Sequence, residues 1–253
     1  MKPLAIDLFC GLGGFTEGLL AAGWDVVGFD VERHQYGDSK YPAQLVLQDV
    51  HTIHGRQFKD AALIVASPPC QEFSYMSMPW SRGKQIAAAL RGDISPEGLK
   101  VPFPEEYTGS RNRQQLTALF DACFRIQREA CEAAGRHIPM VVENVKGAQP
   151  WVGRANANYG SMYLWGDVPA LMPFGSHKKQ SSDGSWFYDN YECSARRFSS
   201  KSPQRKAFSA QAEKIPFALA EWIGKCYYPC EVTHGQTYRG VQMAPGNVSG
   251  IGR

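Results

Sequence analysis

The chain has 253 residues, of which 43% are hydrophobic and 20% are charged, and its formal net charge is +3 at pH 7. This length allows one large α/β domain with a small appendage and argues against a second independent domain. No apolar run approaches the roughly 18 residues of a membrane-spanning helix, and the first residues show no signal-peptide pattern. The seven cysteines form no Cys-x-x-Cys pair. Neither a metal site nor a disulfide framework is indicated, so we expect a cytoplasmic protein that contacts no membrane.

The first predicted strand, Leu4–Phe9, runs into a glycine-rich turn and a short helix from about Thr16 to Ala22. The glycines permit a tight turn and a close approach of backbone to ligand. Thr16 takes the third glycine position of the dinucleotide-binding pattern, which weakens a pyrophosphate-binding interpretation.

Two further predicted strands each end in an acidic residue. Trp24–Phe29 is followed by Asp30, which lies 19 residues after Gly11, and Gln44–Gln48 is followed by Asp49. An acid at the tip of the second strand, about 20 residues after the glycines, is the expected partner of ribose hydroxyls. Either acid could instead be a solvated turn residue.

The fourth predicted strand, Leu63–Ala66, is stopped by Pro68 and Pro69, because neither proline can donate a ladder hydrogen bond. Cys70 therefore follows the carboxyl end of a strand, where ligands bind in open α/β sheets. The position favours a nucleophilic cysteine, although a packed and inert cysteine is the simpler alternative.

Residues 71–113 form a long stretch rich in serine, proline, glycine and basic residues, which we interpret as a lid that contacts phosphates. The segment 86–90 is a possible short helix within it. A firm helix is predicted from Gln114 to Ala134, since apolar residues recur every three or four positions. The fifth predicted strand, Ile138–Val142, presents Glu143 and Asn144 at its end.

These elements predict an α/β fold with a doubly wound, mostly parallel sheet. Three segments, Asp7–Phe15, Pro68–Ser74 and Glu143–Val145, resemble in order and spacing the signature blocks of the cytosine carbon-5 DNA methyltransferases. The resemblance implies a Rossmann-like methyltransferase fold, S-adenosylmethionine as cofactor, no metal, and double-stranded DNA with a flipped cytosine as substrate.

The resemblance also assigns site residues. The implied catalytic residues are Cys70 as nucleophile and Glu143 as proton donor. The implied cofactor-binding residues are Phe9, Gly11, Leu12, Gly13, Gly14, Asp30, Val31, Asp49, Val50 and Pro68. The implied substrate-binding residues are Pro69, Gln71, Ser74 and Asn144. Arg82 and Lys84, which are basic residues of the stretch 71–113, are also expected to bind substrate, through its phosphates.

Beyond the fifth strand the sequence departs from the family pattern. The usual Gln-x-Arg-x-Arg segment before the strand-like Ser161–Trp165 is missing, and Arg154 is our candidate for its arginine. In the C-terminal helix, Ala212–Lys214 replaces the usual Gly-Asn-Ala or Gly-Asn-Ser, which puts that part of the cofactor pocket in doubt. We expect a catalytic domain over residues 1–166, a small recognition region over 167–211, a returning helix over 212–230 and a tail over 231–253.

The pairing of Cys70 with Glu143 suits cytosine chemistry. A thiolate that adds to carbon 6 makes carbon 5 nucleophilic, and a carboxyl group that protonates ring nitrogen 3 assists the addition. We therefore expect a monomeric DNA cytosine-5 methyltransferase. Two alternatives stay open: a cytosine methyltransferase acting on transfer RNA, and a catalytically idle nucleic-acid-binding relative.

Overall fold

The computed structural model describes residues 1–70, 113–173 and 202–229, together with residues 73, 84, 88 and 93. Nine strands occur in these segments: β1 Leu4–Leu8, β2 Asp25–Asp30, β3 Gln35–Tyr36, β4 Ser39–Lys40, β5 Gln44–Leu47, β6 Leu63–Ala66, β7 Met140–Asn144, β8 Ala157–Tyr159 and β9 Met162–Gly166. The α-helices are α1 Gly14–Ala21, α2 Arg113–Ala134, α3 Gln149–Val152, α4 Pro203–Ala212 and α5 Phe217–Tyr227. None of the described helices is long and apolar enough to cross a membrane.

Seven of the described strands form one sheet in the order β5-β2-β1-β6-β7-β9-β8. The five strands from β5 to β7 in this order pair in parallel, and β9 and β8 add an antiparallel edge. The neighbours of β1 are β2 on one side and β6 on the other, so the strand order reverses there. Ligands bind outside the carboxyl ends of the strands at such a reversal.

Helices cover both faces of this sheet, which confirms the predicted doubly wound α/β fold. On one face, α2 buries Leu116, Phe120 and Ile126 against strand residues such as Ile64 and Val142. On the opposite face, Leu19 of α1 and Leu219 and Ile223 of α5 pack on Ala5, Val65 and Val141. The residues of each parallel strand alternate between the two cores, as buried strands with two covered faces must.

The fifth parallel strand is shifted from its predicted position. We expected Ile138–Val142, whereas β7 covers Met140–Asn144. The antiparallel partner β9 extends the ladder beyond Val142, because Asn144 lies opposite Tyr163. Glu143 and Asn144 are therefore the last residues of the strand, and both side chains are buried.

Some short or polar elements were not predicted from the sequence. The hairpin β3–β4, strand β8 and helix α4 were not predicted, because two or three residues show no periodicity and α4 is mostly polar. The predicted helix over residues 114–134 is confirmed by α2, which begins one residue earlier. The predicted lid over residues 71–113 and its helix at 86–90 lie almost wholly outside the described residues, and the domain boundaries stay predictions.

Candidate active site

The glycine turn joins β1 to α1 and lies at the carboxyl edge of the sheet. Gly11 and Gly13 have φ angles of +51° and +82°, a region that glycine enters without steric cost. A β-carbon at Gly13 would lie 2.5 Å from Cδ of Pro42, so no larger residue fits there. Phe9 also has a positive φ, +58°, which is unusual for a bulky residue. The structure therefore places a strained aromatic residue at the start of this turn, as often occurs beside functional sites.

Asp30 at the end of β2 is bound to the glycine turn. Its Oδ2 accepts a hydrogen bond from the Gly11 amide at 2.9 Å, and its Oδ1 accepts one from the Glu32 amide at 3.2 Å. Nε2 of His34 lies 3.5 Å from the same Oδ1. Burial raises the pKa of Asp30, but the hydrogen bonds from His34, Gly11 and Glu32 outweigh that effect and leave the pKa below its ordinary value. Asp30 is held as a carboxylate at this edge.

Asp49 follows β5 and caps a 3-10 turn, Val50–Thr52, through a hydrogen bond from the His51 amide to its Oδ1 at 2.9 Å. Arg125 of α2 also fixes this turn, because its guanidinium donates hydrogen bonds to the carbonyls of Ile53 at 2.8 Å and Val50 at 3.2 Å. The third strand end is thereby fixed beside the first two.

These strand ends enclose a cavity of about 300 Å³. Eight of the ten residues expected to bind a cofactor line it: Phe9, Gly11, Leu12, Gly14, Asp30, Val31, Asp49 and Val50. The exceptions, Gly13 and Pro68, are not among the residues that line this cavity. Pro69, which was expected to contact substrate, lines it instead.

Other lining residues were not among the predicted cofactor-binding residues. They include Asp7, Glu32, His34, Gln48 and Ser67, and from the far end of the described chain Ala210, Glu213, Lys214 and Ile215. Glu213 and Lys214 belong to the segment that replaces the family's pocket residues, whereas Ala210 and Ile215 were not expected at a cavity, because their approach is tertiary. A β-carbon at Gly14 would collide with the backbone nitrogen of Ile215, which shows how closely this segment approaches α1.

Asp7 lies under the glycine turn and is fully buried. Its Oδ2 accepts a hydrogen bond from the Thr16 hydroxyl at 2.6 Å, and the Thr16 hydroxyl lies 2.6 Å from the Tyr41 hydroxyl. Burial raises the pKa of Asp7 from 3.8 to about 7, since the hydrogen bond from Thr16 opposes the rise only partly and the charge of Asp30 adds to it. Asp7 is therefore a residue of the site that was not predicted. Its position shortly before the glycine turn could have indicated it.

Cys70 lies beyond the end of β6, and Glu143 lies in β7, the parallel strand next to β6. Ala66 of β6 lies opposite Val142 of β7, so the next residues, Ser67 and Glu143, are neighbours across the ladder. The Ser67 hydroxyl donates to Oε2 of Glu143 at 2.8 Å, and this fixes the carboxyl group at the sheet edge. Cys70 is half-buried, three residues beyond Ser67.

Asn144 reaches the turn that carries Cys70. Its Nδ2 donates to the carbonyl of Pro68 at 2.9 Å, while its Oδ1 accepts from the Val145 amide at 2.8 Å. Only 1% of the surface of Asn144 is exposed, and both the nitrogen and the oxygen of its side-chain amide form hydrogen bonds within the protein. Its predicted contact with substrate stays a prediction, and the structure gives it a positioning role for the Pro68–Cys70 turn.

Arg154 lies exposed between α3 and β8. Ala157 at the start of β8 is in register with Leu164, which in turn lies opposite Glu143. Arg154 precedes this row by three residues, in a segment outside the strands. Its role toward the pyrimidine stays a prediction. Lys84 is exposed, and Gln71, Ser74 and Arg82 lie outside the described residues.

Comparisons with solved structures show limited similarity. A chain described as a DNA modification methyltransferase encoded within an Escherichia coli prophage is 20% identical, with a TM-score of 0.32 and 58% of this chain covered. For the Dnmt2 methyltransferase of Schizosaccharomyces pombe the values are 16%, 0.33 and 59%, and for the Entamoeba histolytica methyltransferase EhMeth they are 14%, 0.33 and 60%. The present chain spans only 33%, 36% and 41% of the lengths of these three chains.

The sequence comparisons show a similarity for the first part of the chain. None of the curated protein sequences matches it closely enough to count as a relative. Residues 4–85 match the sequence model of a family described as C-5 cytosine-specific DNA methylase. This segment contains the glycine turn, Asp30, Asp49 and Cys70. The predicted resemblance is thereby confirmed over residues 4–85, the segment that is similar to the C-5 cytosine-specific DNA methylases.

Proposed function

We propose that this protein transfers a methyl group from S-adenosylmethionine to carbon 5 of a cytosine in DNA. The observation that carries the proposal is the common edge of β1, β2, β6 and β7, which holds the glycine-turn cavity beside the Ser67–Glu143 pair and the Cys70 turn. A cofactor in the cavity and a base over Cys70 would therefore be neighbours.

The donor set of the cavity fits this cofactor. The cavity lining contains the carboxyl groups of Asp7, Asp30 and Asp49, which suit the cofactor's cationic groups, its ribose hydroxyls and its adenine amino group. Val31 and Val50 add apolar surface for a flat ring. A phosphate would meet several carboxylates here, which agrees with a cofactor that contains none. When bound, S-adenosylmethionine supplies an electrophilic methyl group.

The residues at the sheet edge would act on the cytosine. The Cys70 thiolate adds to carbon 6, a carbon–sulfur bond forms, and the electron pair of the 5,6 double bond becomes available at carbon 5. Glu143 assists by donating a proton or a hydrogen bond to ring nitrogen 3. After carbon 5 has accepted the methyl group, a base removes its proton and the thiolate leaves, which restores the ring.

A cytosine within a duplex cannot present carbon 6 to a thiolate, so the base would have to leave the stack. The residues around Glu143 support such a pocket. Ser67 orients its carboxyl group, and Asn144 fixes the backbone at Pro68. Both contacts connect the segment after β6 to β7, so nucleophile and proton donor would keep one relative position while the base enters.

The test is methyl transfer from labelled S-adenosylmethionine to cytosine-containing DNA and, in parallel, to transfer RNA. We expect wild type to label DNA at carbon 5, and Cys70→Ala to lose methylation while its cofactor affinity in calorimetry stays within about twofold, since Cys70 does not line the cavity.

The matched control is Cys226→Ala, which removes an exposed cysteine from α5 and should leave both readouts unchanged. Near-normal methylation by Cys70→Ala would refute the covalent mechanism. Label on transfer RNA alone would assign RNA as the substrate, and cofactor binding without any transfer would favour the catalytically idle relative.

A further inference from the structure

The wall that residues 210–215 add to the cavity contains a lysine. Among the described residues that line the cavity, the acidic side chains are Asp7, Asp30, Glu32, Asp49 and Glu213. The basic ones are Lys214 and His34. Lys214 is therefore the single lysine or arginine in a predominantly acidic lining.

The ammonium of Lys214 is held over the first turn of α1. Its Nζ lies 2.6 Å from Oε1 of Glu17, and 21% of the lysine side chain is exposed. The neighbouring residue Ile215 contacts Gly14, where α1 begins. No side chain caps this helix, and its N-cap residue, Gly13, is in the left-handed conformation. A fixed positive charge thus lies beside the positive end of a helix dipole.

The charges of the cofactor explain why such a group is useful. The sulfonium and amino groups of S-adenosylmethionine are cations and match the acidic lining, whereas its carboxylate would be repelled by that lining. An ammonium has three donors, so one bond to Glu17 leaves it able to donate to a second oxygen.

We propose that Lys214 binds the carboxylate of the cofactor's amino-acid portion, a role that the sequence pattern of this chain leaves without an assigned residue. The proposal rests on S-adenosylmethionine being the cofactor. Lys214 could alternatively serve only to connect α1 to the C-terminal segment through Glu17. The two roles differ in one respect: only carboxylate binding depends on which ligand is present.

Isothermal titration calorimetry with two ligands separates these roles. The first ligand is S-adenosylmethionine, and the second is decarboxylated S-adenosylmethionine, which keeps the sulfonium, the amine and the nucleoside. For Lys214→Met we expect the dissociation constant of the first ligand to rise about tenfold, as for the loss of one charge-assisted hydrogen bond, and that of the second to change less than about twofold. Lys214→Arg should retain most of the preference for the carboxylate.

Two variants serve as controls. Lys225→Met removes the same charge from α5, where Lys225 pairs with Glu221 at 2.7 Å outside the cavity, and should affect neither ligand. Glu17→Gln breaks the ion pair but keeps the lysine, so it should preserve the preference for the carboxylate-bearing ligand.

Equal losses for both ligands in Lys214→Met, reproduced by Glu17→Gln, would show a purely structural lysine and overturn the proposal. So would unchanged affinity for S-adenosylmethionine. Wild-type protein that binds neither ligand would instead refute the proposed cofactor, and with it the proposed function.

Discussion

Asn144 connects β7 to the Pro68–Cys70 turn through one hydrogen bond, from its Nδ2 to the carbonyl of Pro68. Removing this donor in Asn144→Ala should let the Pro68–Cys70 turn shift, and misplacement of a reacting group by about 1 Å can cost as much as 100-fold in rate. We expect kcat to fall at least about tenfold. The cofactor dissociation constant should stay the same, because Asn144 does not line the cavity.

Steady-state kinetics and cofactor calorimetry on the same preparation measure these two quantities. Asn158→Ala is the matched control, since Asn158 is exposed and its Nδ2 bonds only locally to the carbonyl of Gly160. Asn144→Asp should behave like Asn144→Ala, because the carboxylate keeps the acceptor for Val145 but loses the donor. A folded Asn144→Ala variant with normal kcat would contradict the positioning role.

Asp7 makes the stability of the protein depend on pH. Its pKa is raised by burial from 3.8 to about 7, so between these values the folded protein keeps a proton that the unfolded chain has released. Stability must then fall as pH rises through this window and level off above its upper end. In Asp7→Asn the amide oxygen can still accept the Thr16 hydrogen bond, while the titration is removed.

We therefore expect the free energy of unfolding of wild type to fall, relative to that of Asp7→Asn, as pH rises from 3.8 to about 7. Urea denaturation at a series of pH values measures this difference, and comparison of the two proteins cancels the titration of other groups. Asp25→Asn, at an exposed position of β2, is the control for loss of a carboxyl group. A pH-independent difference between wild type and Asp7→Asn would refute this account.

At the scale of elements, the parallel strands could be predicted because each combines a short apolar run with a polar residue at its carboxyl end. Leu63–Ala66 is buried along its whole length, and the prolines after it set its end. The same logic identified Asp30 and Asp49, since both follow strands whose ends meet at one edge of the sheet. Local chemistry was sufficient to predict this part of the cavity lining.

The rest of the cavity depends on contacts between elements that are distant in the chain. Helix α4 is too polar to predict from periodicity, yet its residue Gln211 donates to the Ser39 hydroxyl of β4 at 3.1 Å, and its neighbour Glu213 lines the cavity. Residues 203–211 had been placed in the recognition region. Their contribution to the cavity wall could not be read from the sequence, because it arises where an unpredicted helix meets an unpredicted hairpin.

Helix α2 was likewise predicted only in part from the sequence. Its apolar periodicity predicted a helix that packs on the sheet, but not the function of its polar face. Arg125 and Glu129 form an ion pair at 3.1 Å. Arg125 donates to the Val50 carbonyl, and Glu129 accepts from the Gly55 amide at 2.7 Å, so the pair fastens the segment after β5. The buried face builds the core, and the adjacent polar face shapes the cavity.

At the scale of the whole molecule, the cavity requires both ends of the described chain. Helix α5 packs on α1, and Nε1 of Trp24, just after α1, donates to the carbonyl of Gly224 at 3.0 Å. This packing holds the preceding segment, with Lys214 and Ile215, against the glycine turn. Separation of α5 from α1 would therefore open the cavity wall as well as expose core.

A substitution of Gly18 in α1 tests how the packing of α5 on α1 supports the cavity. A β-carbon at Gly18 would lie 2.5 Å from Cβ of Ala220 and would collide with the backbone nitrogen of Glu221. Alanine in a helix is favoured over glycine by about 0.5–1 kcal/mol, but overpacking of a close contact costs about 1–3 kcal/mol. The steric cost should win, so Gly18→Ala should lower the free energy of unfolding by about 1–2 kcal/mol.

The same variant should weaken cofactor binding, since α5 can accommodate the methyl group only by moving away from α1 with the segment before it. Urea denaturation and cofactor calorimetry measure the two effects. Leu20→Ala, at a position of the same helix that is 37% exposed, is the control for a change confined to α1. Reduced stability with unchanged cofactor affinity would mean that α5 stabilises the core but does not shape the cavity. Loss of both together is expected if the two ends of the described chain form the cavity as one unit.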